Sequence, residues 1–229
     1  MSIEIAKRAA GEKAITFIED GMIVGLGTGS TALYFIQALI RKCKEGLRIK
    51  VVASSERSAD LAKAGGIHVF DINDLSQIDI TVDGADEIDP KKRMIKGGGG
   101  AHVREKILAS SSQEMIVIVD ESKLVSSIGH TKLPIEIVPY GSKFTREKIE
   151  RLGYSGKWRC SDGSSLNQEL FVTDNGNFLF DIYFAVPPVS PEKMDEEISQ
   201  IPGVVETGFF FNMANKVIVG KLDGTTTIK

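Results

Sequence analysis

Short apolar runs that alternate with stretches of helical period constrain this chain more than any other feature. Met22-Ile-Val24, Ile49-Lys-Val-Val52, Ile78-Asp-Ile-Thr-Val82 and Met115-Ile-Val-Ile-Val119 each read as a buried strand. Strands apolar on both faces need cover on both, and intervening helices supply it as crossovers in a mostly parallel sheet. The expected order begins with a helix over residues 3–18, where Ile3, Ala6, Ala10, Ala14, Phe17 and Ile18 fall at helical spacing. Strand, turn and helix then recur, with Gly25 to Gly29 as a tight turn, Ser30-Thr31 as a helix cap, and further helices at Ser55 to Ala64 and Ala101 to Ser110. In such sheets ligands bind beyond the carboxyl ends of the strands, which singles out the turns after Val24, Val82 and Val119.

Beyond Ile128 the texture changes. Pro134, Pro139, Pro187, Pro188 and Pro191 appear, Ile135-Glu-Ile-Val138 reads as a shorter strand, and helix-like runs occupy 144–152 and 191–201. Asp174-Asn-Gly176-Asn, set between Phe171-Val and Phe178-Leu-Phe, is a hairpin signal. The order strand, helix, strand, strand, helix, strand resembles a split βαβ unit. The expected division is therefore an α/β domain of residues 1–129 and 207–229, and a smaller, ferredoxin-like α+β domain of residues 130–206.

Composition narrows the function classes. With 229 residues, 42% of them hydrophobic, and a net charge of −3, the chain has enough apolar material for a large core and no basic field for a nucleic acid or an anionic membrane. Cys43 and Cys160 lack metal-like spacing and suit a reducing compartment, so a cytoplasmic location is expected. Both thiols read as inert, having no activating base nearby in sequence. The opening Met-Ser-Ile-Glu-Ile-Ala-Lys shows no apolar core of an export signal, and no segment approaches the ~20 apolar residues of a membrane span.

Four consecutive glycines, Gly97 to Gly100, lie between Lys96 and the run that carries Glu105. Each costs roughly 0.5–1 kcal/mol relative to alanine in chain entropy, so four together call for a use. Close approach of backbone N–H groups to a ligand is one; a flexible linker is the bland alternative. Gly27-Thr28-Gly29-Ser30-Thr31, opening a helix after a strand, suits a small phosphate or carboxylate. It lacks the third glycine of a dinucleotide fingerprint and the lysine of a phosphate-binding loop. Asp83 and Asp86, at the mouth of the third strand, can bind sugar hydroxyls, hold a metal or share a proton, or form only a polar turn. Glu105, in the first turn of its helix, can accept a proton from carbon next to a carbonyl, beside backbone donors that stabilise the resulting oxyanion. Lys123 is available for a phosphate or a sugar oxygen and is otherwise a solvated surface lysine, Lys7 is a weaker candidate, and His102 reads as a polar surface or capping residue.

Taken together, Gly27-Thr-Gly-Ser-Thr31, Asp83-Gly-Ala-Asp-Glu87, Lys96-Gly-Gly-Gly-Gly-Ala101, Arg104-Glu105-Lys106 and Ser122-Lys123 resemble the ribose-5-phosphate isomerases of the A type. The likeness extends through Ile201-Pro-Gly-Val204 to Asp223-Gly224. It implies an aldose–ketose isomerase acting on ribose 5-phosphate and ribulose 5-phosphate through a cis-enediolate, in the non-oxidative branch of the pentose phosphate pathway. Glu105 would be its acid/base, with Asp83, Asp86 and Lys96 holding substrate hydroxyls and assisting ring opening. Thr28, Gly29, Ser30, Thr31, Gly84, Ala85, Gly97, Gly98, Gly99 and Lys123 would complete the substrate pocket. The resemblance implies no metal or organic cofactor, a sugar phosphate as the small-molecule partner, and a homodimer or, as in some members, a tetramer, with the smaller domain as the expected contact. Two other readings compete: a sugar-phosphate sensor, for which the first helix leaves no room for a DNA-reading module, and a nicotinamide-dependent oxidoreductase, which lacks the fingerprint.

Overall fold

The computed structural model describes residues 2–161 and 169–229. In chain order the elements are α1 (Ile3–Ala14), β1 (Ile23–Leu26), α2 (Ser30–Lys44), β2 (Lys50–Ala53), α3 (Glu56–Ala64), β3 (Ile78–Asp83), β4 (Glu87–Ile88), β5 (Met94–Ile95), α4 (His102–Ser111) and β6 (Ser112–Asp120). There follow β7 (Leu133–Ile137), α5 (Ser142–Arg151), β8 (Gly156–Trp158), β9 (Phe178–Ile182), α6 (Pro191–Ser199), β10 (Val204–Thr207), β11 (Phe209–Phe210), β12 (Lys216–Gly220) and β13 (Thr226–Ile228). Two compact units divide the chain: Met1–Ala85, Arg104–Leu124 and Asn212–Lys229 form the first, Asp86–Val103 and Val125–Phe211 the second.

The first unit is built on a sheet of order β13-β12-β6-β3-β1-β2, parallel throughout except for β13. Its apolar runs are those expected from sequence. Val24, Leu26, Val51, Ile80, Val82, Ile116, Ile118 and Ile218 meet Phe35, Ile36 and Leu39 of α2 and Ala10 and Ala14 of α1 in one buried cluster. Fully burying a side chain such as Phe35 or Leu39 contributes about 1.5–3 kcal/mol. The parallel strands end together at Leu26, Ala53, Asp83 and Asp120, so the turns that follow share one edge of the sheet.

Two local expectations need correction. Gly25 belongs to β1, paired with Val52 and Thr81, and not to a turn. The strand can continue through it because a Cβ there would fall 2.1 Å from the Thr81 hydroxyl, a spacing that only glycine tolerates. The cap of α2 is Gly29, at φ 112 and ψ 179, and Ser30 is already helical.

The second unit holds a sheet of order β10-β7-β9-β8, antiparallel at every pairing and connected as strand, helix, strand, strand, helix, strand. This is the expected split βαβ arrangement. Ile135, Ile137, Phe180 and Ile182 pack with Ile149 of α5 and Met194 and Ile198 of α6. The Asp174–Asn177 turn closes on Thr173, with a bridge between Val172 and Phe178. A small sheet, β11-β5-β4, places residues 86–103 in this unit, where the sequence division had set them in the α/β domain. The reason is pairing: β5 binds β11 at Phe209↔Ile95 and Phe210↔Met94. Among the described residues no helix is long and apolar enough to cross a membrane.

Candidate active site

In the first unit, Asp83 ends β3 and is fully buried. Its Oδ1 accepts from the N–H of Thr28 at 3.0 Å and of Gly84 at 2.7 Å, tying the turn after β1 to the turn after β3. Gly27 must be glycine for the same reason, since a Cβ would lie 2.1 Å from that oxygen. The Thr28 hydroxyl sits 2.8 Å from those of both Ser54 and Ser55, and Ser58 donates to the Gly27 carbonyl at 2.7 Å. Ser55 also caps α3 by accepting from the Ser58 N–H. These serines were not singled out in the sequence; the signal was Ser54-Ser55 at the end of a strand, directly before a helix.

Gly29 and Ser30 are exposed, Thr31 is buried, and Gly84 and Ala85 are half-buried. Lys123 ends a 3₁₀ turn, Glu121–Lys123, capped by the Asp120 carboxylate through the Ser122 N–H at 2.9 Å. It is half-buried. Glu105 lies in the first turn of α4 and is only 3% exposed. A carboxylate so placed feels the positive end of the helix while water is largely excluded, which strengthens both its field and its partners'. Lys7, half-buried on α1, is paired with the exposed Glu4 at 3.0 Å.

In the second unit, Asp86 and the glycine turn form one assembly. The Asp86 N–H donates to the Ile95 carbonyl at 2.8 Å, and its Oδ2 accepts from the Gly98 N–H at 2.7 Å. Gly97 takes φ 94, and a Cβ on it would press within 2.8 Å of both His102 and Pro134. The turn closes with the Gly100 N–H on the Gly97 carbonyl at 3.0 Å. Gly98 and Gly99 are exposed, and the turn is thus hydrogen-bonded rather than a linker. Lys96 is 2% exposed, its ammonium 5.3 Å from the centre of the Phe210 ring.

His102 is not a surface residue: it is fully buried and its Nε2 lies 3.2 Å from the Glu206 carbonyl. A carbonyl can only accept, so Nε2 carries the proton. Arg159 and Asp181, which the sequence did not single out, hold the glycine turn from its carbonyl side. Burial pushes the Cys43 thiol up, away from a reactive thiolate.

In the first unit a buried carboxylate on a helix and an edge of hydroxyls, and in the second a hydrogen-bonded glycine turn and a buried ammonium, are each of a kind that proton transfer on a small polar anion can use. The family model of ribose 5-phosphate isomerase A (phosphoriboisomerase A) matches residues 50–224. Ribose-5-phosphate isomerase A of Protochlamydia amoebophila is 48% identical over 223 residues, which cover 97% of this chain and 94% of that one. The structure of ribose 5-phosphate isomerase A from Methanocaldococcus jannaschii superposes with a TM-score of 0.91 at 34% identity, covering 100% of both chains. A D-ribose-5-phosphate isomerase in complex with phospho-erythronic acid gives 0.92 at 37% identity, covering 100% of this chain and 99% of that one. The chain belongs to the ribose 5-phosphate isomerase A family.

Proposed function

We propose that Glu105 is the acid/base of an aldose–ketose isomerase that interconverts ribose 5-phosphate and ribulose 5-phosphate, as the family's members are named to do. The observation that carries the assignment is the burial of Glu105 in the first turn of α4. In the open-chain aldose the ionised carboxylate takes the proton from C2, and the C–H electron pair becomes the C1–C2 double bond. The carbonyl electrons pass to O1. The negative charge on that enediolate oxygen is met by glycine N–H groups and the Lys96 ammonium. Protonation of O1, loss of the O2 proton and return of the carbon proton to C1 give the ketose.

Asp83, Asp86 and Lys96 hold the sugar hydroxyls and move protons at oxygen. Residues 28–31 and Gly84, Ala85, Gly97, Gly98 and Gly99 line the substrate, and Lys123 meets the phosphate. This chemistry calls for no metal or organic cofactor. Ribulose 5-phosphate formation places the enzyme in the non-oxidative pentose phosphate branch. A cytoplasmic location is supported by Cys43 and Cys160 both being free thiols. A homodimer through the second unit is supported by its exposed apolar side chains, among them Tyr140 at 93% and Phe144 at 68%. Light scattering at micromolar concentration should give twice the chain mass; a single-chain mass rejects the dimer.

Purified protein with ribose 5-phosphate and no additive should produce ketose, and an absence of ketose rejects the activity. Glu105→Gln should keep ligand binding and lower kcat by about 10³-fold or more, in line with loss of a general base. Turnover near the wild-type rate would remove Glu105 from the role. Lys123→Ala should mainly raise KM, and an unchanged KM argues against phosphate contact.

A further inference from the structure

Arg159 follows β8 and is tied by its backbone to Leu179 and Phe171 at 2.9 Å each. Its Nη1 donates to the Gly97 and Gly98 carbonyls, both at 3.1 Å. The other side of the guanidinium is clamped by Asp181, with Nε to Oδ2 at 2.9 Å and Nη2 to Oδ1 at 2.5 Å. Lys132 adds a second cation on Asp181 Oδ2 at 2.6 Å. The side chains of Arg159 and Asp181 are 10% and 3% exposed, so the pair is screened from water. The Phe171 ring lies 5.8 Å from the guanidinium and lines the space a side chain on Gly100 would need.

A trans peptide is rigid, and its C=O and N–H point in opposite directions. The Gly97–Gly98 peptide is gripped at both ends, its carbonyl by Arg159 and its N–H by Asp86. The Gly98–Gly99 peptide is gripped at its carbonyl alone, and its N–H meets no acceptor among the described residues. Fixing the carbonyl therefore fixes where the Gly99 N–H points. A charged donor on a carbonyl also polarises the peptide and makes its N–H a stronger donor. Packing alone does not need the bond to Gly98, because that exposed carbonyl could be satisfied by water at no cost in buried charge, whereas Gly97 is buried.

We propose that Arg159 is a positioning residue for the isomerisation: clamped by Asp181, it fixes the Gly97–Gly98 peptide and aims and polarises the Gly98–Gly99 peptide before the negative oxygen of the enediolate forms. It touches no substrate atom and acts through the turn. The inference rests on the reading above that this turn serves that oxygen.

Steady-state kinetics on Arg159→Ala and Arg159→Lys, beside Glu105→Gln, test it. Arg159→Ala should lower kcat about 10–100-fold with KM within threefold, part of the loss expected for a missing oxyanion donor. Added guanidinium should recover at least threefold in Arg159→Ala and nothing in Glu105→Gln. Arg159→Lys keeps a cation for Asp181 but cannot fork onto two carbonyls and a carboxylate at once. It should melt within a few degrees of the wild type and still lose about tenfold in kcat, which keeps the test valid if the alanine variant does not fold. A kcat within twofold of wild type in Arg159→Lys overturns the proposal, as does a folded Arg159→Ala that guanidinium leaves unchanged. If wild type makes no ketose, or Glu105→Gln turns over normally, the functional reading itself fails. A normal Arg159→Lys beside an inactive Glu105→Gln defeats the positioning role alone.

Discussion

The turn after β1 and the turn before α4 both string glycines ahead of a helix, yet their glycines answer different demands. Gly27 lies outside the positive-φ set and needs the space its missing side chain vacates, where the Asp83 carboxylate enters to bind Thr28 and Gly84. Gly97 is needed twice over, for a φ of 94 and for lack of room against His102 and Pro134. The first turn is made by a side chain reaching in; the second is made by the backbone and then clamped from outside by Asp86 and Arg159. Glycine-rich loops of similar spelling can thus fail for opposite reasons when mutated.

Gly97→Ala carries the largest expected effect, because strain in the left-handed region and overpacking add to about 2–5 kcal/mol. Chemical denaturation should show it as a lower midpoint at unchanged slope. Gly27→Ala should cost less, about 1–3 kcal/mol, mainly from displacing the Asp83 carboxylate from its two donors. The sharper test is whether removing the obstacle helps. Asp83→Ala should offset about 1 kcal/mol or more of the Gly27→Ala loss in a double-mutant cycle. His102→Ala should relieve Gly97→Ala by less, since the backbone strain stays and so do the 2.8 Å contacts with the Cβ at position 102 and with Pro134. Equal couplings in the two cycles would erase the distinction between the turns. Ser58→Ala, which removes the donor to the Gly27 carbonyl, is the smallest of the set at about 0.5–1.5 kcal/mol, read from the same midpoints.

Much of this was legible before any coordinates. Apolar runs of three or more residues announced β1 and β6, apolar residues at alternate positions announced β3, and the Asp174–Asn177 turn announced itself by glycine and asparagine alone. Two-residue strands such as Glu87–Ile88, Met94–Ile95 and Phe209–Phe210 carry no period, so the small sheet that draws residues 86–103 into the second unit left no pattern to read. Glu105, Asp83 and Asp86 stood out because carboxylates beside glycines invite a chemical question. Arg159 and Asp181 did not, for a charged residue at an ordinary position looks solvated until its partner, 22 residues away, is known. His102 misled for the same reason: nothing adjacent in sequence reveals the Glu206 carbonyl that accepts its hydrogen bond.

One junction sets the tolerances of the whole arrangement. Helix α4 ends at Ser111 and β6 starts at Ser112, with no residue between them to absorb a change in length. One added residue there would have to be taken up by the helix as a rotation of about 100° or by the strand as a reversal of faces. The first swings Glu105 off its buried side, and the second turns the apolar interior of β6 outward. The carboxylate of Glu105 is thereby indexed to the sheet like a tooth on a gear, so the spacing between Glu105 and Met115 has no slack to take up an inserted residue.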